Sequence, residues 1–253
     1  MKGNVELSEA LASKVLSAVD AGLVSGLGVQ KPGKMCVEAA VCFALGLPHG
    51  DNPPCVGSAV RAAKIRLNDS RWSSNEARAK GMRRVAIAQL GSDALDQVDF
   101  SNRLATEVIR QIVPIALRAA ASMQKDEKHR DALEVAAKQC EAKPTEANAR
   151  SARKAAYAAA YAAADAAAAY AAAYAAADAA AAAAYAAADA DADAAAAADY
   201  AAAAAAYAAD YAAESRAKAR DEILSTVAEI MVGILRDMKS PGCAFLYLTE
   251  TQS

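Results

Sequence analysis

The residues best suited to chemistry lie on and beside a proline-rich loop, GLPHGDNPPC, at positions 46–55. The loop presents His49 and Asp51, and prolines stand on both sides of this pair. Because proline fixes the backbone φ angle, the composition predicts a stiff loop. A rigid loop that carries a histidine and a carboxylate is a common basis for a binding or catalytic site. Glu38, on the preceding predicted helix, is expected to face this loop.

A second set of polar residues follows on the next predicted helix. Arg61, Lys64 and Asn68 recur at i, i+3 and i+7, which puts them on one side of that helix. Arginine and lysine there could hold an anionic group by charge-assisted hydrogen bonds. No Walker loop or GxGxxG sequence occurs, so a nucleotide would not sit in a familiar phosphate cradle. We predict a ligand-binding site of six residues: Glu38, His49, Asp51, Arg61, Lys64 and Asn68.

The same loop residues have a structural interpretation. Asp51 could cap the helix that starts near Pro54, and His49 could hydrogen-bond to the backbone. The basic residues of the following helix could lie on an ordinary solvated face. The sequence leaves this interpretation open beside the ligand site.

Metal binding and covalent catalysis are weaker alternatives. Cys36, His49, Asp51 and Cys55 are chemically suited to zinc, but their spacing matches no standard zinc motif. A thiol and a histidine could act together as nucleophile and base, but no oxyanion-stabilising device is visible. We predict no catalytic residue, no bound metal and no cofactor, and we keep a metal-dependent enzyme centred on His49 and Asp51 as an alternative.

Residues 33–70 resemble an uncharacterised family of bacterial and phage helical proteins. The resemblance is carried by a G-x-P-H-x-D-x-P-x-C run and by residues before and after it, including Met35, Cys36, Glu38, Ala39, Asn68 and Asp69. The alanine-rich remainder of the chain is also similar in kind. The resemblance implies a shared helical fold and no known activity.

The elements that must position these residues are helices. Apolar residues recur at helical spacing through residues 7–19, 35–45, 56–67 and 223–235, whereas strand signals are nearly absent. Gly46 is a predicted helix stop, Ser73–Glu76 a capping box, Ser101 a helix start and Pro114 a kink. The predicted fold is an all-α helical bundle.

The segment from Thr145 to Val232 contains neither glycine nor proline and consists mostly of alanine, the best helix former. We predict two long antiparallel helices that turn near 189–193, where aspartates compete for backbone donors. In this interpretation the alanines pack closely, tyrosines fill gaps and aspartates face solvent. Coiled-coil partner binding, ice binding and a membrane-lying helix are alternatives for the tract.

Three parts of the chain are predicted: a helical part at 1–143 with the proline-rich loop, long alanine-rich helices at 144–239 packed on it, and an extended tail at 240–253. Residues 1–154 carry 23 basic and 17 acidic groups, which favours an anionic partner. This excess is too weak for a typical nucleic-acid-binding domain.

The five cysteines are an odd number with no disulfide pattern. The first residues lack the apolar stretch of a signal peptide, and no strongly apolar run long enough to span a membrane occurs outside the alanine tract. These features predict a cytoplasmic protein (in the host cytoplasm if phage-encoded) with no membrane partner.

Our leading prediction is a non-catalytic binding protein for a small anionic, nucleotide-like ligand. With the phage resemblance, sequestering a host defence signal is a possible use. The alternative is a structural or oligomerising interaction module built on the alanine-rich helices, and a homo-oligomer is expected.

Overall fold

A computed structural model of the protein describes residues 5–163, 167–189, 193–212 and 217–250. Within these ranges the chain forms helices and isolated β-bridges but no strand, so the predicted all-α helical bundle is confirmed. The helices of residues 5–142 are α1 (Glu9–Asp20), α2 (Val37–Ala44), α3 (Ser58–Asp69), α4 (Asn75–Ala88), α5 (Gln97–Glu107), α6 (Val113–Met123) and α7 (Glu127–Ala142). They are followed by α8 (Glu146–Ala162), α9 (Ala167–Asp189), α10 (Ala194–Ala212) and α11 (Ala217–Asp237).

Side-chain caps explain where most of the early helices begin. A side-chain oxygen, or the Cys36 thiol, accepts a hydrogen bond from a free N–H of the first turn. These caps are Ser8, Cys36, Ser74, Asp96, Asp126 and Thr145. The predicted stop at Gly46 is also present, with a φ of +70°. The predicted start at Ser101 is wrong, because Asp96, five residues earlier, caps α5.

A π-helical turn, Val108–Ile112, joins α5 to α6. It lies immediately before Pro114, which has no N–H and would press its ring against the carbonyl four residues earlier. The wider turn relieves this conflict, so the kink expected at Pro114 takes the form of a π-helix.

The alanine-rich tract forms more helices than predicted. The break between α9 and α10 falls at the predicted position, and Asp193 caps α10 through its side chain, although residues 190–192 lie outside the described ranges. A further helix end at Ala162, which closes α8, was not predicted. No local signal marks it, because the sequence there is nearly uniform.

Helix α9 lies at the centre of the molecule and contacts α5, α6, α8 and α10. Its buried residues are all alanines, from Ala172 to Ala186, and they cover most of its circumference. Small side chains allow the neighbouring backbones to approach closely on several sides. The alanine-rich helices are therefore part of the core of this chain.

The last helix, α11, and the C-terminal tail both pack against α4 in the first half of the chain. Arg84 on α4 pairs with Glu229 on α11 at 2.6 Å. The tail was expected to be extended, but Pro241–Thr249 forms a 3₁₀ helix. The N–H of Gly242 donates to the carbonyl of Leu90 at 2.7 Å, which packs this helix against the end of α4. Among the described residues, no helix is both long and apolar enough to cross a membrane.

Candidate functional site

The predicted site lies where the proline-rich loop meets α2, α3 and a second loop at residues 22–36. The second loop depends on Gly28, whose φ is +70° and whose Cβ, if present, would lie 2.1 Å from the carbonyl oxygen of Lys34. A side chain is therefore excluded at this position. The carbonyl oxygen of Gly28 lies 3.1 Å from Nε2 of His49, so the two loops meet there.

Glu38 on α2 and Lys64 on α3 form an ion pair inside the protein. Nζ of Lys64 lies 2.8 Å from Oε1 of Glu38, and both side chains are 0% exposed. Burial raises the pKa of Glu38 and lowers the pKa of Lys64, and in each case this effect outweighs the attraction of the partner. The ammonium is occupied by the carboxylate and is closed to solvent.

Arg61, one turn earlier on α3, is held by the proline-rich loop. Its Nε donates to the backbone carbonyl of Asp51 at 2.6 Å, and its Nη2 donates to Oδ1 of Asp51 at 3.1 Å. Asp51 therefore does not cap α3; the N-cap is Gly57, which has no side chain to contribute. The pair is partly exposed, so the Arg61 guanidinium is the cation of the predicted site that solvent reaches.

Asn68 fastens the loop at residues 22–36 to the end of α3. Its Oδ1 accepts from the N–H of Val37 at 3.3 Å, and its Nδ2 donates to the carbonyl of Val24 at 2.9 Å. Asp69 accepts from the N–H of Gly26 at 2.7 Å. The buried Arg78 then donates to the carbonyls of Asn68 and Leu23. The polar groups of Asn68 are thus used within the fold.

Three of the cysteines belong to this region. The Cys36 thiol caps α2 by accepting from the N–H of Ala39 at 3.4 Å. Burial raises the pKa of Cys36 and of Cys55, and it raises the pKa of Cys42 to about 11. These thiols remain protonated near neutral pH and are weak nucleophiles.

One small cavity, of about 30 Å³, is lined by Glu38, Asp51 and Asn68. It is large enough for about one water molecule, whereas pockets for small organic ligands span roughly 300–1,000 Å³. Two larger clefts nearby, of about 410 and 330 Å³, share Ala44 and Leu45 in their walls. The structure thus brings five of the six predicted residues together, with His49 hydrogen-bonded to the adjoining loop. Most of their polar groups bind to one another or to the backbone.

The metal alternative requires Cys36, His49, Asp51 and Cys55 to share one centre. Among the described residues, no group of three or more histidine, cysteine, aspartate or glutamate side chains is arranged to hold a metal ion. His49 contacts a backbone carbonyl through Nε2, as its structural interpretation predicted. The donor set expected from the sequence therefore does not converge on one point in the described structure.

A ribbon of tyrosines across α8, α9 and α10 is a feature that the sequence interpretation missed. We call it the tyrosine ribbon and define it by Arg153, Tyr157, Tyr161, Tyr174, Asp178, Tyr185 and Tyr200. The rings of Tyr157 and Tyr174 meet edge to face at 5.5 Å, and those of Tyr185 and Tyr200 lie 5.9 Å apart. The guanidinium carbon of Arg153 lies 5.3 Å from the centre of the Tyr157 ring.

Arg153 lies beside the first ring pair. Hydrogen bonding to Tyr157 first, with a smaller contribution from Tyr185, raises the pKa of Arg153. Tyr161, Tyr185 and Tyr200 are 70%, 44% and 42% exposed, which is more than expected of gap-filling side chains. The signal was present in the sequence: Arg153, Tyr157 and Tyr161 recur every four residues on α8.

Comparison with protein-family models, curated proteins and solved structures finds no match. The resemblance of residues 33–70 to the bacterial and phage family therefore stays a prediction. The functional argument rests on the chain's own geometry.

Proposed function

We propose that this protein is an interaction module that assembles through the tyrosine ribbon, and that its partner is a second copy of the same chain. The observation that carries the proposal is a cluster of five tyrosines around Arg153, of which Tyr161, Tyr185 and Tyr200 are exposed. Tyrosine and arginine are the residue types that contribute most binding energy at protein interfaces. Tyrosine also loses little conformational entropy on binding, because it has only two side-chain torsions.

The composition of the ribbon favours a copy of itself as the partner. A twofold interface places the same patch on both subunits, so the patch must be self-complementary. Each tyrosine hydroxyl can donate and accept a hydrogen bond. The ribbon also contains one cation, Arg153, and one carboxylate, Asp178, which are close enough for Arg153 to lower the pKa of Asp178 against the larger, raising effect of burial. Two copies can therefore exchange charged partners.

The remainder of the alanine-rich tract has no role in this interface. Its alanines pack inside the chain against α5, α6 and the neighbouring alanine-rich helices. They therefore form a closely packed layer from which the tyrosine side chains project to the surface. This differs from an oligomer formed by alanine faces.

Sedimentation equilibrium of the full chain, from micromolar to millimolar concentration, tests the proposal. We expect the wild type to self-associate and the triple variant Tyr161→Ala, Tyr185→Ala, Tyr200→Ala to dissociate, with the dissociation constant raised about tenfold or more. Alanine suits these helices, so the fold should persist. Tyr247→Ala is the matched control, because Tyr247 is 49% exposed but lies outside the ribbon. A wild type that stays monomeric throughout contradicts the proposal.

Non-catalytic binding of a small anionic, nucleotide-like ligand remains a second candidate, with sequestration of a host defence signal as its use. The solvent-accessible guanidinium of Arg61 favours it. Because Asp51 now occupies that guanidinium, the ligand would have to displace this carboxylate. Calorimetric titration with nucleotides and cyclic or ADP-ribose-type signals tests this idea. Arg61→Ala should weaken binding about ten- to a hundredfold, and absence of binding to the wild type contradicts it.

A further inference from the structure

A groove between α11 and the rod formed by α5 and the π-helical turn is a separate cavity, of about 400 Å³. Its floor includes Ile230, Gly233 and Ile234, and its walls include Asn102, Thr106 and Gln111. The volume lies within the range of small-molecule sites. An apolar floor with polar walls is the usual composition of such sites.

Gly233 keeps this groove open. A Cβ built on Gly233 would meet no atom within 4 Å among the described residues, whereas one on Gly81, the other glycine inside a described α-helix, would meet the Trp72 ring at 2.3 Å. Packing therefore explains Gly81 but not Gly233. Glycine is less favourable than alanine in the middle of a helix, so its presence at an unfilled position points to a need for space.

The charge along the groove is unbalanced on the acidic side. Glu107 is shared by Arg110 and Gln111, and Arg103 is held by Asp99. Asp237 forms no ion pair within 4 Å in the described part of the chain, and Arg103, whose pKa is raised first by Asp99, interacts with it only at longer range. It is also the last residue of α11, where the helix dipole is negative and a carboxylate is disfavoured. A bound cation would relieve both conditions.

We propose that this groove binds an organic cation, an amine with an apolar body. Its ammonium pairs with the Asp237 carboxylate, and its apolar part covers Ile230 and Ile234 in the space above Gly233. The side-chain amides of Asn102 and Gln111 and the hydroxyl of Thr106 edge the site. This site is independent of the tyrosine ribbon.

Calorimetric and NMR titration of the full chain with 2-phenylethylamine, and with 2-phenylethanol as its neutral counterpart, tests the proposal. The amine should bind about two- to fivefold more tightly than the alcohol, the range expected for an exposed ion pair. Asp237→Asn should remove this difference and leave the binding of the alcohol unchanged. Failure of the amine to bind, or equal affinity for both compounds, overturns the proposal.

Gly233→Leu fills the groove and should abolish binding of both compounds. Because a Cβ at this position meets no described atom within 4 Å and leucine favours a helix, the melting temperature should be unchanged or higher. Gly233→Ala, which adds a single methyl group, is the matched control and should retain most of the binding. Unaltered binding by Gly233→Leu would place the ligand elsewhere and overturn the assignment.

Discussion

Around the proline-rich loop, polar side chains bind one another, both in the core and at the surface, whereas on the alanine-rich helices three tyrosines are exposed to solvent. Glu38 and Lys64 meet at 2.8 Å inside the protein, while Tyr161, Tyr185 and Tyr200 stand in solvent on a packed layer of alanines. In the first region, directional hydrogen bonds and ion pairs fix how the helices and loops are arranged. In the second, small alanine side chains allow the helices to pack closely, and the larger tyrosine side chains lie at the surface. In the first region, the varied polar side chains stabilise the fold. In the second, a sequence of mostly alanine forms the core, and its tyrosines form the exposed surface.

The largest effect should come from breaking the buried pair. Lys64→Met leaves the Glu38 carboxyl without its partner and should lower the free energy of unfolding by about 3–5 kcal/mol. The double variant Glu38→Leu, Lys64→Met removes both charges and should recover most of the loss. Urea unfolding measures both. A single variant as stable as the wild type would show that the pair is not what holds α2 to α3.

The same variant should make stability depend on pH. Burial raises the folded-state pKa of Glu38 above its ordinary 4.5. For a raised carboxyl pKa, stability is fully present below the unfolded value and is lost as pH rises through the folded value. Urea unfolding of Lys64→Met should therefore show the smallest loss near pH 4 and a larger loss at neutral pH, whereas the double variant should lack this trend.

A smaller effect should come from crowding the alanine layer. Ala180 on α9 is fully buried, and Ala180→Leu should cost about 1–3 kcal/mol through overpacking. Ala158→Leu on α8 is the matched control, because Ala158 is exposed; it should stay within about 0.5 kcal/mol of the wild type. Denaturant unfolding compares them. Equal stability of the two variants would mean that α9 is not closely packed.

The smallest effects concern the cysteines. Cys243 is partly exposed, whereas the other four are buried, so iodoacetamide should label Cys243 first.

Burial raises the pKa of Cys42 and Cys140 from 9.0 to about 11. Unfolded thiols ionise before these two do, so the unfolding free energy should fall as pH rises from 9 towards 11. Mass spectrometry and alkaline unfolding curves test the two statements; uniform labelling of all five thiols would contradict the first.

Local signals in the sequence predicted much of the first half of the fold. The helix start within Ser73–Glu76 is confirmed, with Ser74 as the cap, and so is the stop at Gly46, because each depends on residues within one turn. The end of α8 at Ala162 could not be predicted, because neighbouring positions are chemically alike. The 3₁₀ tail depends on contact with α4, which is distant in sequence.

For the candidate site, the sequence predicted which residues lie near one another but not which of them form ion pairs and hydrogen bonds. Helical spacing placed Arg61 and Lys64 beside the loop; Arg61 contacts Asp51 of that loop, whereas Lys64 contacts Glu38 on α2. Spacing does not say how deeply each side chain lies. Lys64 points into the core toward Glu38, while Arg61, one turn away, bonds to Asp51 at the surface. The two cations differ in how deeply they are buried, and burial depends on the tertiary structure rather than on helical spacing.

The salt bridge between Arg66 on α3 and Asp199 on α10, at 2.8 Å, joins residues 133 positions apart. During synthesis, α3 therefore leaves the ribosome long before its partner exists. Loop closure over such distances is slow, so the faces of α3, α5 and α6 that α9 and α10 later cover stay open in the nascent chain. The core is completed only after α10 has emerged, and until then those apolar faces are available to chaperones.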